Sequence, residues 1–214
     1  MELAVPMDDY YFSHSRAEIL PYVPATVRFA LDIGCGKGNF GKLLKQQFNC
    51  TVWGVEPNHI SALQASENMD HVINAFFDSD LDVKNQKFDC IFFNDVLEHF
   101  VDPDSKLILA KELLANDGQI ICSIPNVLFY ENVMNILRTM DWKYEDAGIL
   151  DVTHLRFFTR KSIQRMFLNC GLTIIGMNGI KTGYGKIFRR LNFLLFNMLA
   201  DMQYPQYIVV SRPT

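Results

Sequence analysis

The chain has 214 residues, 49% of them hydrophobic and 21% charged, and carries a formal net charge of -4. That length supports one domain with a substantial buried core, and the composition excludes a disordered or fibrous chain. The acidic balance argues against general nucleic-acid binding, which needs a basic surface to neutralise phosphates.

In chain order, Ser15-Arg-Ala-Glu18 reads as a capping box opening a short helix that Pro21 and Pro24 confine. Val27–Ile33 is a compact apolar run closing on Asp-Ile-Gly, which predicts a buried strand and a glycine turn. Phe40–Phe48 follows with helical spacing, then a strand over Thr51–Val55 that ends at Glu56. A helix over Ile60–Asn68, a strand over Val72–Phe76 and a strand over Phe88–Phe93 come next. A helix from about Lys106 to Leu114 precedes a fifth strand, Gly118–Ile124, which stops at Pro125.

Alternating strands and helices at this spacing predict βαβ units and a mainly parallel sheet. The nearly continuous apolar strands suit a sheet covered on both faces. After Pro125 the rhythm changes: residues 126–158 hold a helix over about Tyr130–Met140 and a long aromatic-rich segment. Thr159 caps a further helix whose Ile163, Met166, Phe167 and Cys170 share one face, with Gly171 as its stop. Leu172–Met177 and Tyr207–Ser211 complete the set of strands. The expected fold is α/β: a Rossmann-like, doubly wound, seven-stranded, mostly parallel sheet in one domain, with an insertion after the fifth strand.

Five scattered cysteines, Cys35, Cys50, Cys90, Cys122 and Cys170, show no CxxC or Cys/His ligand spacing. They read as packing residues in a reduced compartment, with no metal site expected. The stretch Met1-Glu-Leu-Ala-Val-Pro-Met-Asp-Asp has no signal-type apolar run, so a cytoplasmic location is expected.

Chemistry concentrates at Asp32-Ile-Gly34-Cys-Gly36-Lys-Gly38, between a strand and a helix. Glycines there allow a tight turn and close approach to a ligand, while the helix start supplies free N–H groups. Glu56 closes the next strand about twenty residues on, where a carboxylate can accept both hydroxyls of a ribose. Gly36-x-Gly38-x-x-Gly41 also matches the dinucleotide fingerprint, which leaves a nicotinamide oxidoreductase as an alternative. Asp32 discriminates between the two. A carboxylate beside the glycines repels a pyrophosphate but holds the ammonium of an amino-acid-bearing cofactor.

LDIGCGKGNFGKLL resembles the first motif of class I S-adenosylmethionine-dependent methyltransferases, and GVEPN resembles their second. Phe88-Asp-Cys-Ile-Phe-Phe-Asn-Asp-Val-Leu-Glu-His99 resembles their fourth-strand motif. Leu113-Leu-Ala-Asn-Asp-Gly resembles the turn into their fifth strand, with Asn-Asp-Gly in place of Pro-Gly-Gly. The similarity covers about residues 10–178. It implies S-adenosylmethionine as cofactor and S-adenosylhomocysteine as product. It further implies that Gly34, Gly36 and Gly38 line the methionine and ribose portions, Glu56 binds the ribose hydroxyls, and Asn94 lies beside the methionine end. The adenine-contacting acid is displaced: Phe76 occupies its usual spot, and Asp78 serves instead, or Phe76 or Phe77 flanks the adenine. Tyr10-Tyr11 with Arg16 resembles the family's N-terminal segment, which makes Tyr11 and Arg16 lid contacts.

The fourth strand ends in Asn94-Asp95-Val-Leu, unlike the Asn/Asp-Pro-Pro-aromatic motif used on amide or base nitrogens, and no Pro-Cys pair offers a thiolate nucleophile. An O-methyltransferase, or one acting on a small amine, remains. Gly148-Ile-Leu-Asp151-Val-Thr-His154-Leu-Arg156-Phe-Phe-Thr159 resembles a DxTHxRxFT segment of methyltransferases associated with cell-surface glycan and related biosynthesis. His154 is therefore the candidate base or acceptor hydrogen-bond partner. The competing reading makes Asp151, His154 and Arg156 a structural corner. Glu98-His99 reads as helix-start packing. The predicted function is methyl transfer to a small-molecule or glycan hydroxyl, with a non-catalytic cofactor-binding or partner module as the other alternative. A late apolar helix, Gly185–Met202, is too short for a bilayer, which needs about twenty apolar residues. It suits core packing, a pocket cover, a homodimer interface or, with Lys181, Lys186, Arg189 and Arg190, peripheral membrane contact.

Overall fold

A computed structural model describes residues 16–180, 186–194 and 196–214. Among the described residues, seven strands form one sheet: β1 (Phe29–Ile33), β2 (Thr51–Val55), β3 (His71–Ile73), β4 (Phe88–Asn94), β5 (Leu114–Pro125), β6 (Leu172–Ile180) and β7 (Gln206–Pro213). Their order is β3-β2-β1-β4-β5-β7-β6. β1 runs parallel to β2 and β4, and β2 runs parallel to β3. β7 is antiparallel to β5 and β6, so the sheet is mixed and Rossmann-like, with its antiparallel part at the β6 end. The helices are α1 (Asn39–Phe48), α2 (His59–Ala65), α3 (Pro103–Leu113), α4 (Tyr130–Thr139), α5 (Arg160–Asn169) and α6 (Lys186–Leu194). The predicted insertion after β5 carries α4 and an irregular stretch that leads to α5.

The chain divides into two compact units, Met1–Asn94 with Glu112–Gln119, and Asp95–Lys111 with Ile120–Thr214. In the first, β1, β2 and β4 are buried almost throughout, as their unbroken apolar runs require of strands covered on both faces. Phe40 and Leu44 of α1 are buried, and Phe40 meets Phe92 of β4 edge to face at 5.0 Å. Asp89 accepts the N–H groups of Arg28 and Phe29 at 2.8 and 2.9 Å, which anchors the start of β1. In the second unit, Ile120–Cys122, Tyr207, Val209, Ile163 and Phe167 form the core. Thr159 and Ser162 cap α5 reciprocally, and Gly171 follows it at φ 67. All five cysteines are buried, and none is in a disulfide.

Three elements differ from expectation. The expected short helix is a 3-10 helix, Ala17–Tyr22, preceded by Arg16 at φ 50, and Ser15, the expected cap, lies outside the described residues. β3 stops at Ile73 because the Asn74 amide donates to the carbonyls of Glu56 and Pro57, at 2.8 and 3.0 Å, and turns the chain away. The late apolar segment is not one helix: α6 ends at Leu194, Phe196 and Asn197 take left-handed backbone (φ 51 and 62), and Ala200–Gln203 forms a 3-10 turn.

Candidate functional site

In the first unit the chain leaves β1 through Gly34, Gly36 and Gly38, all left-handed at φ 67, 53 and 76. Such angles favour glycine, and at Gly38 a Cβ would also stand 3.0 Å from the Ala65 backbone of α2. The amides of Gly34 and Cys35 donate to the carbonyl of Val55, at 2.8 and 3.2 Å, which ties the turn to the end of β2. One residue beyond, Glu56 accepts the Gly36 N–H on Oε2 and the Asn58 N–H on Oε1, each at 2.9 Å. Burial raises the Glu56 pKa, and these two bonds oppose the rise.

Asp32 is 2% exposed, and the Asn94 amide donates to its Oδ1 at 3.3 Å. Its carboxyl is pushed up to about 8, first by burial and then by Glu56, against the Asn94 bond. Asn94 Oδ1 is itself buried and accepts no hydrogen bond among the described residues. Asp32, Glu56 and Asn94 Oδ1 therefore form a cluster of acceptors at a glycine turn. Such a cluster calls for a ligand bearing a cation and hydroxyl donors.

The expected adenine contacts differ in burial. Phe77 is core, edge to face with Phe93 at 5.8 Å, and Phe76 is 59% exposed. Asp78 is exposed, with Oδ1 accepting the Ser79 N–H at 2.8 Å. Arg16 points a guanidinium nitrogen at Glu18 Oε1, 3.4 Å away. Tyr11 lies outside the described residues.

In the second unit, the side chains of Asp151, His154 and Arg156 each bond to the chain around them. Asp151 Oδ1 accepts the Thr153 N–H and hydroxyl at 2.7 and 2.6 Å. The backbone amides of Leu155 and Arg156 both donate to the Glu98 carbonyl, at 2.8 and 3.0 Å, and the Arg156 guanidinium donates to the Val101 carbonyl. His154 is buried, with Nδ1 3.1 Å from the Ile149 carbonyl. Its Nε2 stands 3.9 Å from Glu98 Oε1. His99 packs edge to face on it, centroids 4.9 Å apart, with its own Nδ1 3.2 Å from the Thr153 carbonyl. Burial lowers both histidines, His99 to about 4 with His154 adding to the effect, so both are neutral at pH 7.

Glu98 and His99 read as packing in the sequence, yet the fold brings both to His154; the adjacent acid and imidazole in LEH are the available signal. Asn58 and Asn74, which hold the Glu56 corner, were also missed. Their signal was the familiar preference of asparagine for caps and turns.

The family model of the methyltransferase domain matches residues 8–176. This chain belongs to the methyltransferase domain family. Among solved structures, it is similar to a SAM-dependent methyltransferase from Archaeoglobus fulgidus, at 18% identity and a TM-score of 0.68 over 95% of this chain and 99% of that one. An S-adenosylmethionine-dependent methyltransferase from Clostridium acetobutylicum gives 15% identity and a TM-score of 0.62, over 96% and 92% of the two chains. The plantazolicin methyltransferase in complex with SAH gives 16% identity and a TM-score of 0.62, over 88% and 77%. No curated protein sequence matches.

Proposed function

We propose that this chain is an S-adenosylmethionine-dependent methyltransferase that methylates a hydroxyl of a small molecule or glycan and releases S-adenosylhomocysteine. The observation that carries the cofactor reading is the buried Asp32–Asn94 pair, with Asn94 Oδ1 unsatisfied beside a glycine turn. Asp32 and Asn94 Oδ1 would hold the ammonium of the cofactor's amino-acid end, Glu56 its ribose hydroxyls, and Gly34, Gly36 and Gly38 admit its close approach. Asp78 and Phe76 supply the adenine side, and Arg16 with Tyr11 covers it. When bound, the cofactor supplies an electrophilic methyl group on a sulfonium. A pyrophosphate would meet two buried carboxylates here, which disfavours the nicotinamide alternative.

The acceptor side is assigned to His154. The Ile149 carbonyl can only accept, so His154 Nδ1 carries the hydrogen and Nε2 keeps its lone pair. That neutral nitrogen is suited to receive the hydroxyl proton as oxygen bonds to the methyl carbon and sulfur leaves with the bonding pair. The exposed Phe193, Leu194, Phe196 and Met198 support the partner reading, a homodimer or peripheral membrane contact through that segment. Co-flotation with anionic vesicles or a dimer by light scattering would support it, and neither would remove it.

The test of the whole reading is a thermal-shift comparison followed by turnover. Stabilisation by S-adenosylhomocysteine and not by NAD(P), with methyl transfer to hydroxyl compounds, is expected. Stabilisation by NAD(P) alone overturns it, and cofactor binding without turnover on any hydroxyl leaves the non-catalytic module.

A further inference from the structure

Glu98, His99 and His154 each offer one ligand atom, and the three atoms lie within 4.8 Å of one another inside the second unit. Two ligands of one first-row divalent ion, with bonds of about 2.0–2.2 Å, stand roughly 3 to 4.3 Å apart. The His154 Nε2 to Glu98 Oε1 separation of 3.9 Å falls in that range. It is also too long for a hydrogen bond, so no shared proton joins that pair.

The orientation of the rings agrees. Both Nδ1 atoms face backbone carbonyls, those of Thr153 and Ile149, which can only accept. Both imidazoles are therefore held as the Nδ1–H tautomer with the lone pair on Nε2, the arrangement that outer-shell carbonyls impose on metal-binding histidines. Backbone bonds from Leu155 and Arg156 to the Glu98 carbonyl fix the third ligand's chain against the His154 loop.

We infer that Glu98, His99 and His154 form a binding site for a divalent transition-metal ion, with two nitrogen and one carboxylate ligand and coordination positions left for other ligands. Two imidazoles and a carboxylate suit zinc, manganese or iron(II) more than calcium or magnesium. Ion binding stands independently of the proposed reaction. Its catalytic consequence rests on the hydroxyl-methylation reading: an ion there would take the acceptor oxygen as a ligand and acidify its hydroxyl. His154 then acts as a ligand in place of a free base.

The test uses the full chain after chelator treatment, titrated with Zn²⁺ in competition with a chromophoric chelator and, separately, with Co²⁺ read by visible absorption. One ion per chain is expected, with affinity at least tenfold weaker in His99→Gln and His154→Gln and unchanged in His59→Ala. X-ray absorption of the Zn²⁺ form should show two histidine nitrogens, which settles the matter if the variants fail to fold. Sub-stoichiometric binding by the unmodified chain, undiminished binding by the folded histidine variants, or a sulfur-only ligand shell overturns the inference. S-adenosylhomocysteine binding, measured on the same samples, reports separately on the cofactor reading.

Discussion

Asn94, at the end of β4, donates its side-chain amide to Asp32 on the neighbouring strand β1 at 3.3 Å and keeps its own Oδ1 buried without a donor. The parallel register, Asp32 opposite Phe92 and Ile33 opposite Phe93, brings these two strand ends to one place. A buried carboxylate and a buried amide oxygen side by side are costly unless something positive joins them. That arrangement is the physical core of the cofactor proposal.

Replacing Asp32 with Asn removes the anion and keeps the shape. Charge-assisted hydrogen bonds contribute about 1.5–3 kcal/mol, so S-adenosylhomocysteine should bind about 10- to 100-fold more weakly. The free protein should melt higher at pH 7, because folding no longer has to protonate a carboxyl that is ionised in the unfolded chain. Titration calorimetry and thermal unfolding check the two halves, and unchanged affinity would remove Asp32 from the cofactor site.

The pH dependence follows from the same group. With a folded pKa of about 8 against a reference of 3.8, the native state binds more protons than the unfolded state throughout that window. The Asp32 contribution to stability is therefore fully present below the reference value and is lost as pH rises towards 8. Glu56, also raised, adds in the same direction. A cationic ligand needs the ionised form, so S-adenosylhomocysteine binding should release a proton below pH 8 and weaken as pH falls. Calorimetry in buffers of different ionisation enthalpy measures that proton, and the Asp32→Asn variant should show less of it.

Gly38→Ala should destabilise the chain by about 1–3 kcal/mol, since alanine is strained at φ 76 and its Cβ meets the Ala65 backbone at 3.0 Å. For a chain of this size that is a fall in Tm of roughly 2–12 °C. A variant melting with the parent would mean that the turn relaxes freely.

The parts of this arrangement that were legible in the sequence are those written in local pattern. Apolar runs located β1, β2 and β4 to within a few residues, and the spaced glycines with Asp32 and Glu56 marked the turn. Asn74 shortened β3 through side-chain bonds that no apolar count contains. The late segment has helical spacing throughout, yet backbone reversal at Phe196 and Asn197 interrupts it. The pairing of Glu98 with His154 depends on the insertion folding back, and sequence distance hides such tertiary contacts.

His154→Ala separates the two halves of the proposed function. Its target lies in the second unit, whereas Asp32, Glu56 and Asn94 lie in the first. His154 makes none of the contacts proposed for the cofactor, so cofactor affinity should stay within about twofold. Loss of a general base, or of a ligand that holds a Lewis acid, lowers kcat by about 10²- to 10⁴-fold. The experiment is single-turnover methyl transfer under saturating cofactor, with S-adenosylhomocysteine affinity measured in parallel. Because His154 also bonds to the Ile149 carbonyl within a packed corner, His154→Gln is the companion variant: it keeps a donor for that carbonyl but no basic nitrogen. If His154→Gln retains turnover while His154→Ala does not, the residue only holds its loop, and the proton must leave by another route.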